Sequence, residues 1–71
     1  GPDTYVVMIT EGSGDMFTYV LDGPEGKATT GQTLTTTTSF VAGDTIVFRP
    51  DVVHGWEAGT TGFKCLVTVI P

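Results

Sequence analysis

The sequence is poor in cysteine, histidine and basic residues. Its 71 residues include one Cys, one His and three basic residues against eight acidic ones, for a formal net charge of −5. A single Cys excludes an internal disulfide, and one His with one Cys is too few for a structural zinc site. The acidic balance argues against nucleic acid and anionic membrane surfaces as partners. No apolar run approaches the length of a membrane span.

The small size limits the core that the chain can build. A domain of 71 residues buries only about 60% of the surface that its unfolded chain exposes, and it usually needs a disulfide, a metal or a partner subunit. We therefore expect a homodimer. We treat residues 1–71 as one domain, interpret Gly1-Pro2 as a remnant of tag removal, and take the cytoplasm as the default location.

Turn-forming residues recur at intervals of roughly 8 to 12 residues, the spacing of an antiparallel sandwich or barrel. The predicted turns are Glu11–Asp15, Asp22–Gly26, Gly31-Gln32, Ala42–Asp44, Pro50-Asp51 and Ala58–Gly62. The segments between them are rich in Val, Ile, Thr and aromatic residues, and none shows a helical period. The predicted strands are Tyr5–Thr10, Met16–Leu21, Thr33–Val41, Thr45–Phe48, Val52–Glu57 and Phe63–Ile70. We expect an all-β fold.

Two of the predicted strands are apolar on both faces. On the last strand, one face carries Phe63, Cys65, Val67 and Val69, and the other carries Leu66 and Ile70. The first strand likewise places Tyr5, Val7 and Ile9 opposite Val6 and Met8. A chain of this size has too few residues to form a covering layer on both faces of these strands. We therefore expect a second copy to pack on the outside.

Three segments carry a family resemblance. The run from Gly43 to His54, GDTIVFRPDVVH, resembles the second motif of the cupin superfamily, in which a Gly-Asp turn starts a strand, a Pro follows and a His closes the motif. Phe17–Gly23 looks like the end of the first motif, and Trp56–Lys64 is similar to small cupins of the ethanolamine-utilisation and ureidoglycolate type. The resemblance implies a single cupin domain: a small antiparallel β-barrel, also called a double-stranded β-helix or jelly roll.

The resemblance does not extend to the metal ligands of metal-binding cupins. Counting back from Gly23 places Met16 at the Glu position of the first motif. The two His positions of that motif are occupied, depending on a one-residue gap, by Thr10 and Gly12 or by Ile9 and Glu11. Stable mononuclear metal sites have three or four protein ligands. Of the cupin metal ligands, only the His of the second motif, His54, is present. We expect no bound metal and no cofactor.

His54 and Trp56 are the leading candidates for ligand binding, because they share strand parity and hence one face. Histidine titrates near neutral pH, so His54 suits a general acid, a base or a hydrogen-bonding partner. The alternative is a His without a ligand, either buried and neutral with a backbone carbonyl as its partner or partly exposed. Trp56 either forms an aromatic wall for a sugar-like or planar ligand or fills the core. We add Met16 and Thr18 to the candidate ligand-binding residues.

The other reactive side chains have simpler interpretations. Cys65 lies in a strongly apolar strand, and we expect it to be buried and inert. Lys64 alternates with it and is expected to be solvated. Glu11 and Glu57 are the carboxylates expected nearest the cavity mouth, although no spacing supports a paired-carboxylate hydrolase.

Three functional hypotheses follow. The first is a metal-free cupin of uncertain physiological role, whose barrel cavity binds a small polar or sugar-like metabolite against His54 and Trp56. The second is a small cupin enzyme, an isomerase, lyase or cyclase, that uses His54 as general acid or base. The third is a structural oligomerisation module. A cavity filled by side chains would favour the third hypothesis, and an open pocket next to His54 would favour the first two.

Overall fold

The computed structural model describes residues 2–21 and 32–71. They form four strands: β1 (Thr4–Leu21), β2 (Gln32–Val41), β3 (Thr45–Phe48) and β4 (Val53–Ile70). No helix occurs among the described residues. The predicted all-β fold is therefore confirmed, in the form of one four-stranded antiparallel sheet.

β1 is the centre of the sheet and pairs with each of the other strands. Its stretch Ser13–Leu21 pairs with β2, and Tyr5–Met8 pairs with β3. β4 runs beside almost all of β1, from the pair Thr4↔Ile70 to the pair Tyr19↔Val53. Because β4 occupies one edge of β1 over both stretches, β2 and β3 follow each other along the opposite edge.

The connection between β2 and β3 is the predicted turn at Ala42–Asp44, which the structure confirms. The turn stays hydrogen-bonded to β1: the Gly43 amide donates to the carbonyl of Ile9 at 2.9 Å, and the Ile9 amide donates to the carbonyl of Asp44 at 2.9 Å. The Asp44 carboxylate accepts from the Val41 amide at 2.8 Å, the local side-chain bond that makes Asp a turn former. The predicted turn at Pro50-Asp51 is also present.

Two of the predicted turns are wrong. Glu11–Asp15 and Ala58–Gly62 lie inside β1 and β4, so four predicted strands merge into two. The glycines there serve β-bulges, with register shifts between Ile9 and Glu11 and between Gly12 and Gly14. Gly12 has a φ of 81°, and a Cβ on it would collide with the carbonyl oxygen of Gly62. Glycine is needed for a bulge and close strand approach here rather than for a chain reversal. The predicted turn Asp22–Gly26 lies outside the described residues. Of the predicted turn Gly31-Gln32, Gly31 also lies outside them, and Gln32 is the first residue of β2.

The bulges allow the sheet to fold over on itself. Phe48 pairs with Tyr5 near the start of β1, and His54 pairs with Thr18 near its end. Nevertheless the rings of Phe48 and His54 are stacked with their centroids 4.0 Å apart. A straight strand would separate Tyr5 from Thr18 by about 43 Å. β1 is therefore strongly bent, and the sheet has a concave face.

The core lies on the concave face and is small. Five hydrophobic residues are buried, with partly buried aromatic and aliphatic residues packed against them. The buried set is Val7, Ile9, Met16, Phe40 and Phe48, and the partly buried set is Tyr5, Ile46, Trp56 and Phe63. Large hydrophobic side chains remain exposed on both faces of the end of β4, as the alternation pattern predicts: Leu66, Val67, Val69 and Ile70.

Candidate functional site

A cavity of about 230 Å³ opens on the concave face, where the first part of β1 meets β3 and β4. Its lining is aromatic and aliphatic: Tyr5, Val7, Phe48, His54, Trp56, Phe63, Cys65 and Val67. Alternation along each strand sends every second side chain to this face. His54 and Trp56 flank Gly55 on β4 and both line the cavity, on the shared face that their parity predicts.

His54 is held by a ring contact and by one hydrogen bond. Its imidazole lies nearly parallel to the ring of Phe48, with an interplanar angle of 15°. Its Nδ1 lies 3.4 Å from the carbonyl oxygen of Val52. When Nδ1 carries the proton and donates to that carbonyl, Nε2 is an acceptor. His54 is exposed, so it is not a buried His, but its carbonyl contact fits the other form of the alternative, a partly exposed His without a ligand.

Trp56 is the hub of an aromatic cluster. Its indole meets Phe40, Phe48 and His54 edge to face, with centroid distances of 5.6, 5.6 and 5.7 Å. It also packs against Phe63 at 5.7 Å in a tilted arrangement. Edge-to-face geometry is the favoured one for aromatic pairs. Trp56 therefore packs on the core and also lines the cavity.

Met16 and Thr18 pair with the two site residues across the sheet but do not line the cavity. Met16 is buried in the core, and its register partner on β4 is Trp56. Thr18 is the register partner of His54, and its hydroxyl is 2.6 Å from the hydroxyl of Thr36. Both residues therefore support the strand that presents the two ring side chains, and neither is among the residues that line the cavity.

The cavity also contains residues that sequence analysis did not select. Tyr5, Phe48 and Phe63 supply aromatic walls, and Cys65 lines the same cavity. The prediction that Cys65 is buried is wrong, because the residue is exposed. Its side chain does point to the concave face, but no described strand lies beyond β4 to cover it. Phe63, Cys65 and Val67 are alternate residues of one strand and so share a face. This pattern in the sequence could have predicted that they line the cavity together.

Lys64 and the carboxylates Glu11, Asp15 and Glu57 do not line the aromatic cavity. Lys64 is exposed, as predicted, and its Nζ lies 3.3 Å from a carboxylate oxygen of Glu11. Asp15 and Glu57 are register partners beside a separate, shallow concavity of about 480 Å³, where Ser39 donates to Asp15 at 2.7 Å. Neither Glu11 nor Glu57 is among the residues that line the aromatic cavity.

Metal-ligand chemistry has little support in the described part of the chain. No group of three or more His, Cys, Asp or Glu residues there is arranged to hold a metal ion. Residues 2–21 and 32–71 also contain no helix long and apolar enough to cross a membrane. The cavity offers aromatic faces, one imidazole, one phenol, one indole N–H and one thiol. This set suits binding by stacking and a few hydrogen bonds.

Comparison of the chain with family models, with curated proteins and with solved structures finds no match.

Proposed function

We propose that this protein binds a small metabolite in the aromatic cavity between β1, β3 and β4. The observation that carries the proposal is an open cavity of about 230 Å³ walled by rings that already pack on one another. Preformed apolar walls with a few polar groups are the usual features of small-molecule sites. The volume corresponds to about seven or eight waters in the liquid, which limits the ligand to a small molecule.

The chemistry of the walls defines the ligand class. Trp56 and Phe48 offer apolar ring surface, so the ligand has one flat or weakly polar face, as a sugar-like ring or a planar heterocycle does. His54 and Tyr5 supply the hydrogen-bonding groups that orient it. No carboxylate and no basic side chain other than the imidazole lines the cavity. A neutral polar ligand therefore fits better than a strongly charged one.

We also propose that the chain is a metal-free cupin in which the bent sheet forms part of a β-barrel. The structural support is the arrangement of the motif-like segment: the Gly43-Asp44 turn leads into β3, and His54 follows at the start of β4. The strong bend of β1 gives the curvature that such a barrel requires. A lone imidazole in the cavity supports binding without a metal.

A second candidate function is catalysis with His54 as general acid or base. The observation that favours it is that Tyr5 and Cys65, two further proton-bearing side chains, line the same cavity. Proton transfer requires a group within hydrogen-bond reach of the substrate, and all three residues face that space. The hypothesis of a purely structural module is less favoured, because side chains do not fill the cavity.

The test uses the only tryptophan, Trp56, as a fluorescent reporter. A library of sugars and small heterocycles is screened by thermal shift, because a ligand that binds the native state raises Tm. Each hit is then titrated by Trp56 emission. We expect a saturable emission change, and a loss of affinity of at least about tenfold in His54→Ala. Glu57→Gln, which alters a residue outside the cavity, is the matched control and should bind as wild type does.

Two results would contradict the proposal. One is a complete library with no compound that changes Tm or Trp56 emission. The other is a hit whose affinity is the same in wild type, His54→Ala and Phe48→Leu, since such a ligand binds elsewhere. Turnover of a bound compound that is lost in His54→Ala would select the enzyme hypothesis over simple binding.

A further inference from the structure

The end of β4 carries an exposed apolar surface that shares Val67 with the cavity and extends beyond it. Its residues are exposed on both faces of the sheet, and we call them the β4 patch: Leu66, Val67, Val69 and Ile70. Leu66 is 63% exposed and Val67 is 54% exposed. On the outer face the patch continues onto Met8, which is the register partner of Leu66. Contiguous exposed apolar surface on a small protein marks an interaction site.

The patch coincides with an open strand edge. Among the described strands β4 pairs with β1 alone, so no described strand is hydrogen-bonded to its other edge. Natural proteins protect such edges with charges, prolines or bulges. Residues 65–70 contain no charged residue and no proline, and the register shifts with β1 all lie before this stretch. This edge is therefore regular, apolar and ready for pairing.

The exposed area is large for a monomer. Folded monomers of 7.5 kDa have an accessible surface of about 4,250 Å². This chain exposes 4806 Å², which is roughly 550 Å² more than that expectation. A standard protein–protein interface buries about 800 Å² on each partner. The excess belongs to the whole chain, and the exposed side chains of the β4 patch contribute to it.

The chemistry of the patch favours a second copy of this chain over a charged partner. Lys64, which precedes the patch on β4, pairs with Glu11 at 3.3 Å. The chain carries a net charge of −5, but the patch itself contains no carboxylate that pairing would desolvate. When two identical strands pair antiparallel about a two-fold axis, the β4 patch of one copy contacts the β4 patch of the other. The interface is therefore self-complementary.

We propose that two copies pair through the β4 edges, antiparallel, so that the two sheets become one continuous sheet. Leu66 and Ile70 then cover their counterparts on the outer face, and Val67 and Val69 do so on the concave face. Val67 also lines the aromatic cavity. The second copy therefore narrows the open side of that cavity, but the pairing itself does not depend on any ligand.

Sedimentation of the full chain over micromolar to millimolar concentrations tests the proposal. We expect wild type to sediment at twice the chain mass of 7.5 kDa. Val67→Lys and Leu66→Lys should sediment at the chain mass with an unchanged β-sheet circular dichroism spectrum, because both positions are exposed in the single chain. Val41→Lys is the matched control, since Val41 is 58% exposed on β2 away from the patch, and it should remain dimeric.

Hydrogen exchange then identifies the surface. Amides of residues 65–70 should exchange more slowly in wild type than in Val67→Lys, by at least about tenfold. A wild type that is monomeric throughout the range overturns the proposal, as does a dimer that survives both lysine variants. A dimer whose residue 65–70 amides exchange as in Val67→Lys places the interface elsewhere and overturns it as well. The outcome is independent of whether any ligand of the cavity is found.

Discussion

The two halves of β4 expose apolar side chains in different ways. In the first half, His54 and Trp56 point into a concavity and are braced by Phe48 and by one another. In the second half, Leu66 and Ile70 lie on an open sheet edge without such bracing. Concave, ring-lined surface suits a small molecule, whereas extended aliphatic surface with a free edge suits another strand. One strand thus presents two kinds of recognition surface.

The largest loss of stability is expected from a substitution at Gly12, in the bulge of β1 that pairs with the middle of β4. Gly12→Val requires a β-branched residue at a φ of 81° and places its side chain against the Gly62 backbone. We expect a loss of about 3 kcal/mol or more in the free energy of unfolding, enough to abolish a cooperative transition in so small a protein. The measurement is urea denaturation followed by Trp56 emission.

Gly43→Ala is the matched control for this prediction. Gly43 also has a positive φ, of 95°, but a Cβ there meets no atom within 4 Å. The only cost is then that of a positive φ for a residue with a Cβ, so the free energy of unfolding should fall by about 1 kcal/mol. Equal losses for the two variants would mean that the contact with Gly62 has no part in bending the sheet.

A pair of truncations sharpens the contrast between the halves. Phe48→Ala removes a side chain that is only 3% exposed and stacks on His54, so we expect a loss of about 3 to 4 kcal/mol. Leu66→Ala, measured at concentrations where the chain is monomeric, removes an exposed side chain and should cost less than about 1 kcal/mol. Thermal unfolding by circular dichroism measures both, and similar losses would show that the two halves are equally packed.

The smallest effect is expected at the ion pair beside the bulge. Lys64 and Glu11 are 76% and 65% exposed, so Glu11→Gln should change the free energy of unfolding by no more than about 0.5 kcal/mol. The measurement is urea denaturation at low and high salt. A loss above about 1 kcal/mol that disappears in high salt would give this pair a larger part in holding the bulge than its exposure predicts.

Sequence reasoning predicted the strand content and the shared face of His54 and Trp56, because both depend on local alternation. It mistook the glycines at Gly12 and Gly62 for turns, since a positive φ serves a bulge as well as a chain reversal. It misplaced Cys65 because burial depends on which strand lies alongside, and that is set by pairing between distant segments. The walls supplied by Tyr5 and Phe48 were missed for the same reason, since only the bend brings them to His54.

The pairing of β1 with β4 affects the order in which the protein folds during synthesis. Thr4 pairs with Ile70 and Tyr19 with Val53. One edge of β1 therefore forms its backbone hydrogen bonds only after β4, the last of the described strands, has been synthesised. Such non-local pairing makes folding slow. During translation the chain therefore exposes β1 without its β4 partner, and an unpaired strand is prone to aggregation. We expect the yield of folded protein in the cell to depend on chaperone capacity.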